Sequence, residues 1–234
     1  MKDRERAAMQ DADDLERRCL RAVRELGEEA NVRIEYEYVS PSAATSEEVD
    51  LALRELDANG RLHLESALHH QFFVPREVHV LWESEDHPTL GGEFQLHSTV
   101  DSASHPEYVP RDVNLKPRRQ KILSELRAID SLSQSGMGAV AGVRLAAEPP
   151  FEMWYYSKTE RMFQKLNLSP SGYLETVLAT KGTTGWQYLF ADVDFKDSWL
   201  EEVGSNLQTM LETFPTLFPE YDYEPLRARL EARL

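Results

Sequence analysis

The chain opens with two contrasting patterns of apolar and polar positions. An amphipathic helix is predicted over residues 5–30, because five apolar residues recur there at helical steps among charged neighbours: Leu15, Cys19, Val23, Leu26 and Ala30. The sequence NVRIEYEYV then alternates strictly, which predicts a half-buried strand over residues 32–39. The side chains expected on one face of that strand are Val32, Ile34, Tyr36 and Tyr38.

Helix signals return after this strand. Thr45 and Glu48 have the spacing of a capping box, and Gly60 is placed to end the helix that they open. The next short helix is expected to contain Leu64, Leu68 and Phe72. The sequence EVHVLW after Pro75 is open to two interpretations, since it is rich in valine like a strand but follows a proline that could begin a helix.

The rest of the chain groups its strands and its helices. Helical spacing predicts a helix through Ile122, Leu126, Ile129 and Leu132. Strands are predicted at GEFQLHS, GAVAGVRL, FEMWYYS and RMFQKLNL, of which the last three form a candidate meander. Ser169 is expected to cap a helix that Gly182 ends, and two further helices are expected over residues 200–214 and 225–234.

This grouping predicts the fold class and the domain organisation. Because strands and helices do not alternate, the expected fold is α+β, with a single mixed or mostly antiparallel sheet flanked by helices. The 234 residues, of which 41% are hydrophobic, suffice for a sizeable core. We expect residues 1–44 to form an N-terminal helix and strand extension packed on a main domain of residues 45–234.

Composition and charge restrict the functional classes. No apolar run is long enough to span a bilayer, the charged N-terminus does not resemble a signal peptide, and the single cysteine, Cys19, suits a reducing compartment. A cytoplasmic protein without a membrane partner is therefore expected. The net charge of −15 argues against nucleic-acid binding, which depends on neutralising phosphates. The acidic surplus is concentrated in residues 46–115 and 191–224, so it could steer a basic partner or serve solubility alone.

Two glycine-containing stretches resemble nucleotide-binding loops only superficially. In KGTTGWQYLF the lysine precedes the glycines and a helix precedes the lysine, whereas a phosphate loop requires GxxxxGK[ST] between a strand and a helix. GMGAVA fits a loose dinucleotide pattern but lacks a strand before it and a helix after it. Both are interpreted as turns, and the first of them as a turn that positions aromatic side chains.

No catalytic residue, metal ligand or cofactor is predicted. All seven histidines lie between His63 and His105, and HLESALHH places Glu65 and His69 on one helical face, but no HExxH is present. Asp192 and Asp194 could hold a divalent ion, although aspartates before a helix more often cap it. No GxSxG or SxxK sequence nominates a nucleophile.

Acidic and aromatic residues remain as the candidates for function and for core packing. The acids expected to contact a partner are Glu83, Glu85, Asp86, Glu93, Asp192, Asp194 and Asp197. The aromatic residues expected to have a structural role are Trp82, Trp154, Trp186, Tyr188 and Phe190.

Several of these sequences resemble one protein family. FEMWYYS, LSPSGYLETVLATKGTTGWQYLFADV and LETFPTLFPEYDYEPLRARL together resemble the SUKH superfamily, which includes yeast cell-wall regulators and bacterial toxin-immunity proteins. FVPREVHVLWESED is similar to the family's Val-Pro step into a helix, but the glycines that usually follow directly are delayed to Gly91 and Gly92. The resemblance implies a single α+β domain without catalysis that binds another protein.

The leading hypothesis is therefore a non-enzymatic protein-binding module, an immunity protein that neutralises a basic toxin domain. A regulatory adaptor or scaffold is the alternative, and a metal-dependent hydrolase that uses the histidine-rich segment is a third. A toxin gene directly beside this one would separate the first hypothesis from the second.

Overall fold

Within the part of the chain that the structure describes, seven strands pair in chain order to form one antiparallel sheet. The coordinates are a computed structural model, which describes residues 2–56, 76–145 and 151–234. Within these ranges the strands are β1 (Val32–Val39), β2 (Val78–Ser84), β3 (Gly91–Leu96), β4 (Leu126–Leu132), β5 (Ala139–Arg144), β6 (Glu152–Ser157) and β7 (Met162–Leu166). The predicted α+β class, with a mostly antiparallel sheet flanked by helices, is confirmed.

The helices of the described residues are α1 (Lys2–Glu28), α2 (Ser46–Leu56), α3 (Thr99–Ser104), α4 (Pro117–Ser124), α5 (Pro170–Ala179), α6 (Glu201–Leu217) and α7 (Glu224–Glu231). The caps predicted for two of these helices are confirmed. Thr45 and Glu48 cap α2 reciprocally, and the Ser169 hydroxyl accepts from Gly172 N–H at the start of α5. Gly60 and the helix predicted around Leu64, Leu68 and Phe72 lie outside the described residues. None of the described helices is both long enough and apolar enough for a membrane span.

The prediction of one helix through Ile122, Leu126, Ile129 and Leu132 is wrong. Helix α4 ends at Ser124, and the rest of the segment is strand β4. A β-bulge between Ala128 and Asp130 adds one residue, Ile129, and so interrupts the alternation of the strand. Apolar residues on the two sides of this bulge are spaced like those of a helix, which explains the error.

The sequence EVHVLW forms strand β2, and the helix that the family resemblance implies after Pro75 is not formed over the described residues from 76 onwards. Val78, Val80 and Trp82 are buried on one face, as a strand pattern requires. Their backbone groups pair with β1 on one side and β3 on the other, which satisfies the ladder on both edges.

A second bulge changes the orientation of β1. Ile34 lies opposite Trp82 and Tyr36 opposite Leu81, so Glu35 is the extra residue and the alternation reverses there. The prediction that Tyr36 and Tyr38 share a face with Val32 and Ile34 is therefore wrong. The two tyrosines lie on the opposite face, and they are 37% and 41% exposed.

The core lies on both faces of the sheet. On the first face, which carries Phe94 and Tyr155, buried residues of α1, α5, α6 and α7 form the larger cluster. On the second face, which carries Val140 and Tyr156, the smaller cluster includes Ile122 and Leu123 of α4. The segment predicted as an extension over residues 1–44 joins the main fold: β1 is an edge strand of the same sheet, and α1 contributes buried residues to the larger cluster.

Candidate functional site

The turn after α5 crosses strand β3 at very close range. Glu93 N–H donates to the Gly182 carbonyl at 3.0 Å, and Thr184 N–H donates to the Gly91 carbonyl at 2.9 Å. A Cβ atom on Gly92 would lie 2.6 Å from the Gly182 oxygen, and one on Gly182, at φ +66°, would lie 2.5 Å from the Glu93 oxygen. Glycine is therefore required on both sides of the crossing, and the glycines of KGTTGWQYLF have a structural role.

The aromatic residues after this crossing fill the core. Trp186, Tyr188 and Phe190 lie in a 3-10 turn and are buried, and the Trp186 ring lies 4.7 Å from that of Tyr173. Trp82 is also buried, and its indole N–H donates to the Lys181 carbonyl at 2.7 Å. Trp154 is half-buried on the second face of the sheet.

Lys181 joins helix α1 to the C-terminal part of the chain. Its fully buried Nζ lies 2.5 Å from Glu25 Oε2, which also accepts from the Tyr221 hydroxyl at 2.9 Å. The same Nζ lies 4.0 Å and 4.6 Å from the ring centres of Tyr221 and Phe218. Burial lowers the pKa of Lys181, and the contact with Glu25 opposes that effect. The lysine thus connects α1 to the C-terminal part of the chain.

Glu93 is not a surface acid, and its assignment to a partner-contacting set is corrected. It is 2% exposed, and its carboxylate accepts from the backbone N–H groups of Ser133, Gln134 and Ser135 at 2.8–3.0 Å. His79 Nε2 lies 2.9 Å from Oε1. Burial alone would raise the pKa of Glu93, but these hydrogen bonds lower it. Glu93 therefore holds the β4–β5 hairpin against β3.

Asp130 is the second buried carboxyl group of the sheet. It accepts from the Tyr173 hydroxyl at 2.7 Å and from Gln95 N–H at 2.8 Å. Burial raises the pKa of Asp130 from about 3.8 to about 7, because desolvation disfavours the charged form. The carboxyl group has no access to solvent, so its titration affects folding rather than surface binding.

We expect Asp130→Asn to remove a pH dependence of stability. Between about pH 4 and about pH 7 the folded chain keeps a proton on Asp130 that the unfolded chain has released, so stability falls as the pH rises through this window. At ~1.4 kcal/mol per pH unit, the wild type should lose on the order of 2 kcal/mol relative to the variant between about pH 5 and about pH 7. Urea unfolding at both pH values measures this, and parallel profiles for the two proteins would contradict it.

The described histidines do not form a metal centre. Burial lowers the pKa of His97 to about 4, and its ring stacks on Tyr108 at 4.3 Å. No group of three or more His, Cys, Asp or Glu residues in the described ranges is placed to hold a metal ion. The candidate pair Glu65 and His69, together with His63 and His70, lies outside those ranges.

A concave groove of about 320 Å³ lies where the end of α1, the β2–β3 turn and the C-terminal half of α6 meet. Its apolar lining consists of Val32, Trp82, Leu90, Phe214 and Leu217. The lining also contains three carboxylates, Glu29, Asp86 and Glu212, one from each of the three segments, and no lysine or arginine among the residues described. We call this feature the acidic groove, and it combines an apolar floor with negative charge.

Helix α6 separates the two groups of acids that the sequence analysis combines. Asp86 lines the acidic groove beside Glu212, whereas Asp197 precedes α6 and its backbone carbonyl accepts from Leu200 N–H at 2.8 Å. At 1.5 Å per residue, Glu201 and Glu212 lie roughly 16 Å apart along the helix axis. The fold therefore places Asp192, Asp194 and Asp197 at the end of α6 opposite to Asp86 and its neighbours.

Two further acids, Glu83 at the end of β2 and Glu85 in the β2–β3 turn, are exposed near the acidic groove. Glu83 pairs with Arg33 at 2.9 Å, which offsets its charge, and Glu85 is exposed. Asp86 accepts from the Asn31 side chain at 2.5 Å, which fixes the carboxylate at the edge of the groove. Sequence reasoning missed Glu29 and Glu212, because each is one acid among many until the tertiary structure brings it to the groove.

No protein-family model matches this chain, and no curated protein or solved structure matches it either. The resemblance to the SUKH superfamily thus stays a proposal.

Proposed function

We propose that this protein is a non-enzymatic binding module that binds a basic partner protein at the acidic groove and the adjoining β2–β3 turn. The observation that carries the proposal is the composition of the groove, in which three carboxylates and His87 surround an apolar floor and the described lining contains no lysine or arginine. An apolar centre with a charged rim is the usual anatomy of a protein-binding site.

The partner that suits this surface is a basic toxin domain, with this chain as its immunity protein in the cytoplasm. Domains that cleave nucleic acids carry positive faces because they bind phosphates. A protein with a net charge of −15 is attracted to such a face, and the exposed Glu85 and Asp86 supply negative charge next to the groove. The motifs similar to the SUKH superfamily support the same assignment.

The proposal predicts that acids at the groove steer association with the product of the neighbouring gene. We expect Glu85→Lys combined with Asp86→Lys to lower the on-rate about tenfold at low salt and to change the off-rate less, because steering acts on the encounter. The on-rate of the wild type should fall markedly as the salt concentration rises. Stopped-flow association at low and high salt measures both effects.

The matched control reverses two acids at the other end of α6. Asp192 and Asp197 are also exposed, so Asp192→Lys combined with Asp197→Lys changes the net charge equally. The proposal requires this control to slow association clearly less than the reversal at the groove. Equal slowing by both pairs, or an on-rate that is independent of salt, would contradict the placement of the binding surface.

A further inference from the structure

The acidic groove has features that restrict the chemistry of its occupant. Its accessible apolar surface includes Leu217, which is 37% exposed, and the half-buried Val32, whereas Phe214 and Trp82 are buried. Around this floor stand carboxylates from three different segments of the chain. A purely apolar side chain would leave these carboxylates without partners, and a small metal ion would make no use of the apolar floor.

Each of the three carboxylates retains acceptor capacity. Glu29 makes no side-chain hydrogen bond or ion pair with the described part of the chain. Asp86 uses one oxygen for Asn31 at 2.5 Å, and Glu212 uses one for Gln208 at 3.0 Å. Within the described residues, oxygens on all three acids are therefore available to a donor that enters the groove.

We propose that the acidic groove binds an arginine side chain of the partner protein, with the methylene stem over the apolar floor and the guanidinium group among Glu29, Asp86 and Glu212. This inference rests on the proposed function, because it names the side chain through which a basic partner engages the same surface.

Arginine fits this groove better than lysine for two physical reasons. Its planar guanidinium offers five donors, which suits several carboxylates at different angles, whereas the ammonium group of lysine is a point charge. The guanidinium group is also more weakly hydrated than an ammonium group, so its transfer from water to a partly apolar groove costs less.

The test uses short peptides as probes, so that it is independent of the partner. Acetyl-Gly-Arg-Gly-amide, the corresponding lysine peptide and the citrulline peptide are titrated into the full chain, and amide shifts are followed by NMR. We expect the arginine peptide to shift amides of Ser84, Leu90 and Glu212 and to bind in the millimolar range. The lysine peptide should bind about fivefold more weakly, and the uncharged citrulline peptide should not bind measurably.

Two variants and one control locate the interaction. Glu212→Gln should weaken arginine binding about fivefold, because it removes the charge of one carboxylate at the groove. Leu217→Ser, at a lining residue that is 37% exposed, should weaken it by removing apolar surface with little effect on folding. Glu201→Gln removes the same charge at the opposite end of α6 and should leave the affinity unchanged.

Failures of this inference and of the proposed function can be distinguished. Equal binding of the arginine and lysine peptides, or equal weakening by Glu212→Gln and Glu201→Gln, would overturn the arginine site and show general attraction to an acidic surface. Absence of peptide binding would also overturn it, while salt-dependent binding of the neighbouring gene product would leave the proposed function standing. If the arginine peptide bound but the neighbouring gene product did not, the proposed partner would instead be contradicted.

Discussion

Gly182→Ala is expected to lower the free energy of unfolding by about 2–5 kcal/mol. The new methyl group would lie 2.5 Å from the Glu93 carbonyl oxygen. This oxygen is a backbone atom, so it cannot rotate away as the end of a side chain could. A left-handed conformation costs a residue with a Cβ atom roughly 1–2 kcal/mol, and overpacking of this kind adds typically 1–3 kcal/mol. Urea unfolding followed by far-UV circular dichroism measures the loss.

A second glycine separates the two causes of this effect. Gly136 has a similar φ of +76°, but no atom lies within 4 Å of the position of its Cβ. Gly136→Ala should therefore show the conformational cost alone, roughly 1–2 kcal/mol. If Gly182→Ala and Gly136→Ala lowered the free energy of unfolding equally, the close approach of the turn to β3 would contribute nothing to the effect. Gly92→Ala meets the Gly182 oxygen at 2.6 Å without a left-handed conformation, so it should show the cost of overpacking alone, typically ~1–3 kcal/mol.

Trp186→Ala is expected to cost about 3–5 kcal/mol, the usual range for removing a large side chain from a core. Trp186 is fully buried between Tyr173 and Phe190, whose ring centres lie 4.7 Å and 6.1 Å from its own. The cavity left by the indole would border the rigid 3-10 turn, so little relaxation is available. Chemical denaturation gives the change in unfolding free energy.

The control for Trp186 is the exposed tryptophan Trp199. This side chain is 51% exposed and follows the same turn, so Trp199→Ala should cost less than about 1 kcal/mol. A similarly small loss for Trp186→Ala, accompanied by loss of partner binding, would make Trp186 an interface anchor instead of a core residue.

Local signals in the sequence predicted the elements that depend on local physics. The capping box of Thr45 and Glu48 and the Ser169 cap before Pro170 act within one helical turn, so they can be recognised without tertiary information. The alternating runs at residues 139–166 also formed the expected meander, since each strand pairs with its neighbour in sequence.

The errors arose where one added residue changed the pattern. The bulges at Glu35 and Ile129 reverse the alternation of β1 and β4, and nothing in the local sequence marks them. The burial of Glu93 was missed for a related reason. A carboxylate bound by three backbone N–H groups of a distant hairpin cannot be told from an exposed one by composition.

The candidate site was predictable only in part. The exposed Glu85 and Asp86 on the β2–β3 turn belong to the set that the sequence indicated, but the groove needs Glu29 from α1 and Glu212 from α6 as well. No spacing rule connects residues from such distant segments. Their convergence results from the packing of α1 and α6 on the first face of the sheet.

The contact between Lys181 and Glu25, which are separated by 156 positions, can form only after most of the chain has been synthesised. The meander can form progressively during synthesis, because its strands pair with sequence neighbours and such contacts close quickly. The acidic groove cannot form in this stepwise way, because one of its walls belongs to α6 and another to the end of α1. A growing chain on the ribosome therefore lacks a complete acidic groove until α6 has emerged and docked, and under the proposed function the partner would bind only after residues 201–217 have been translated.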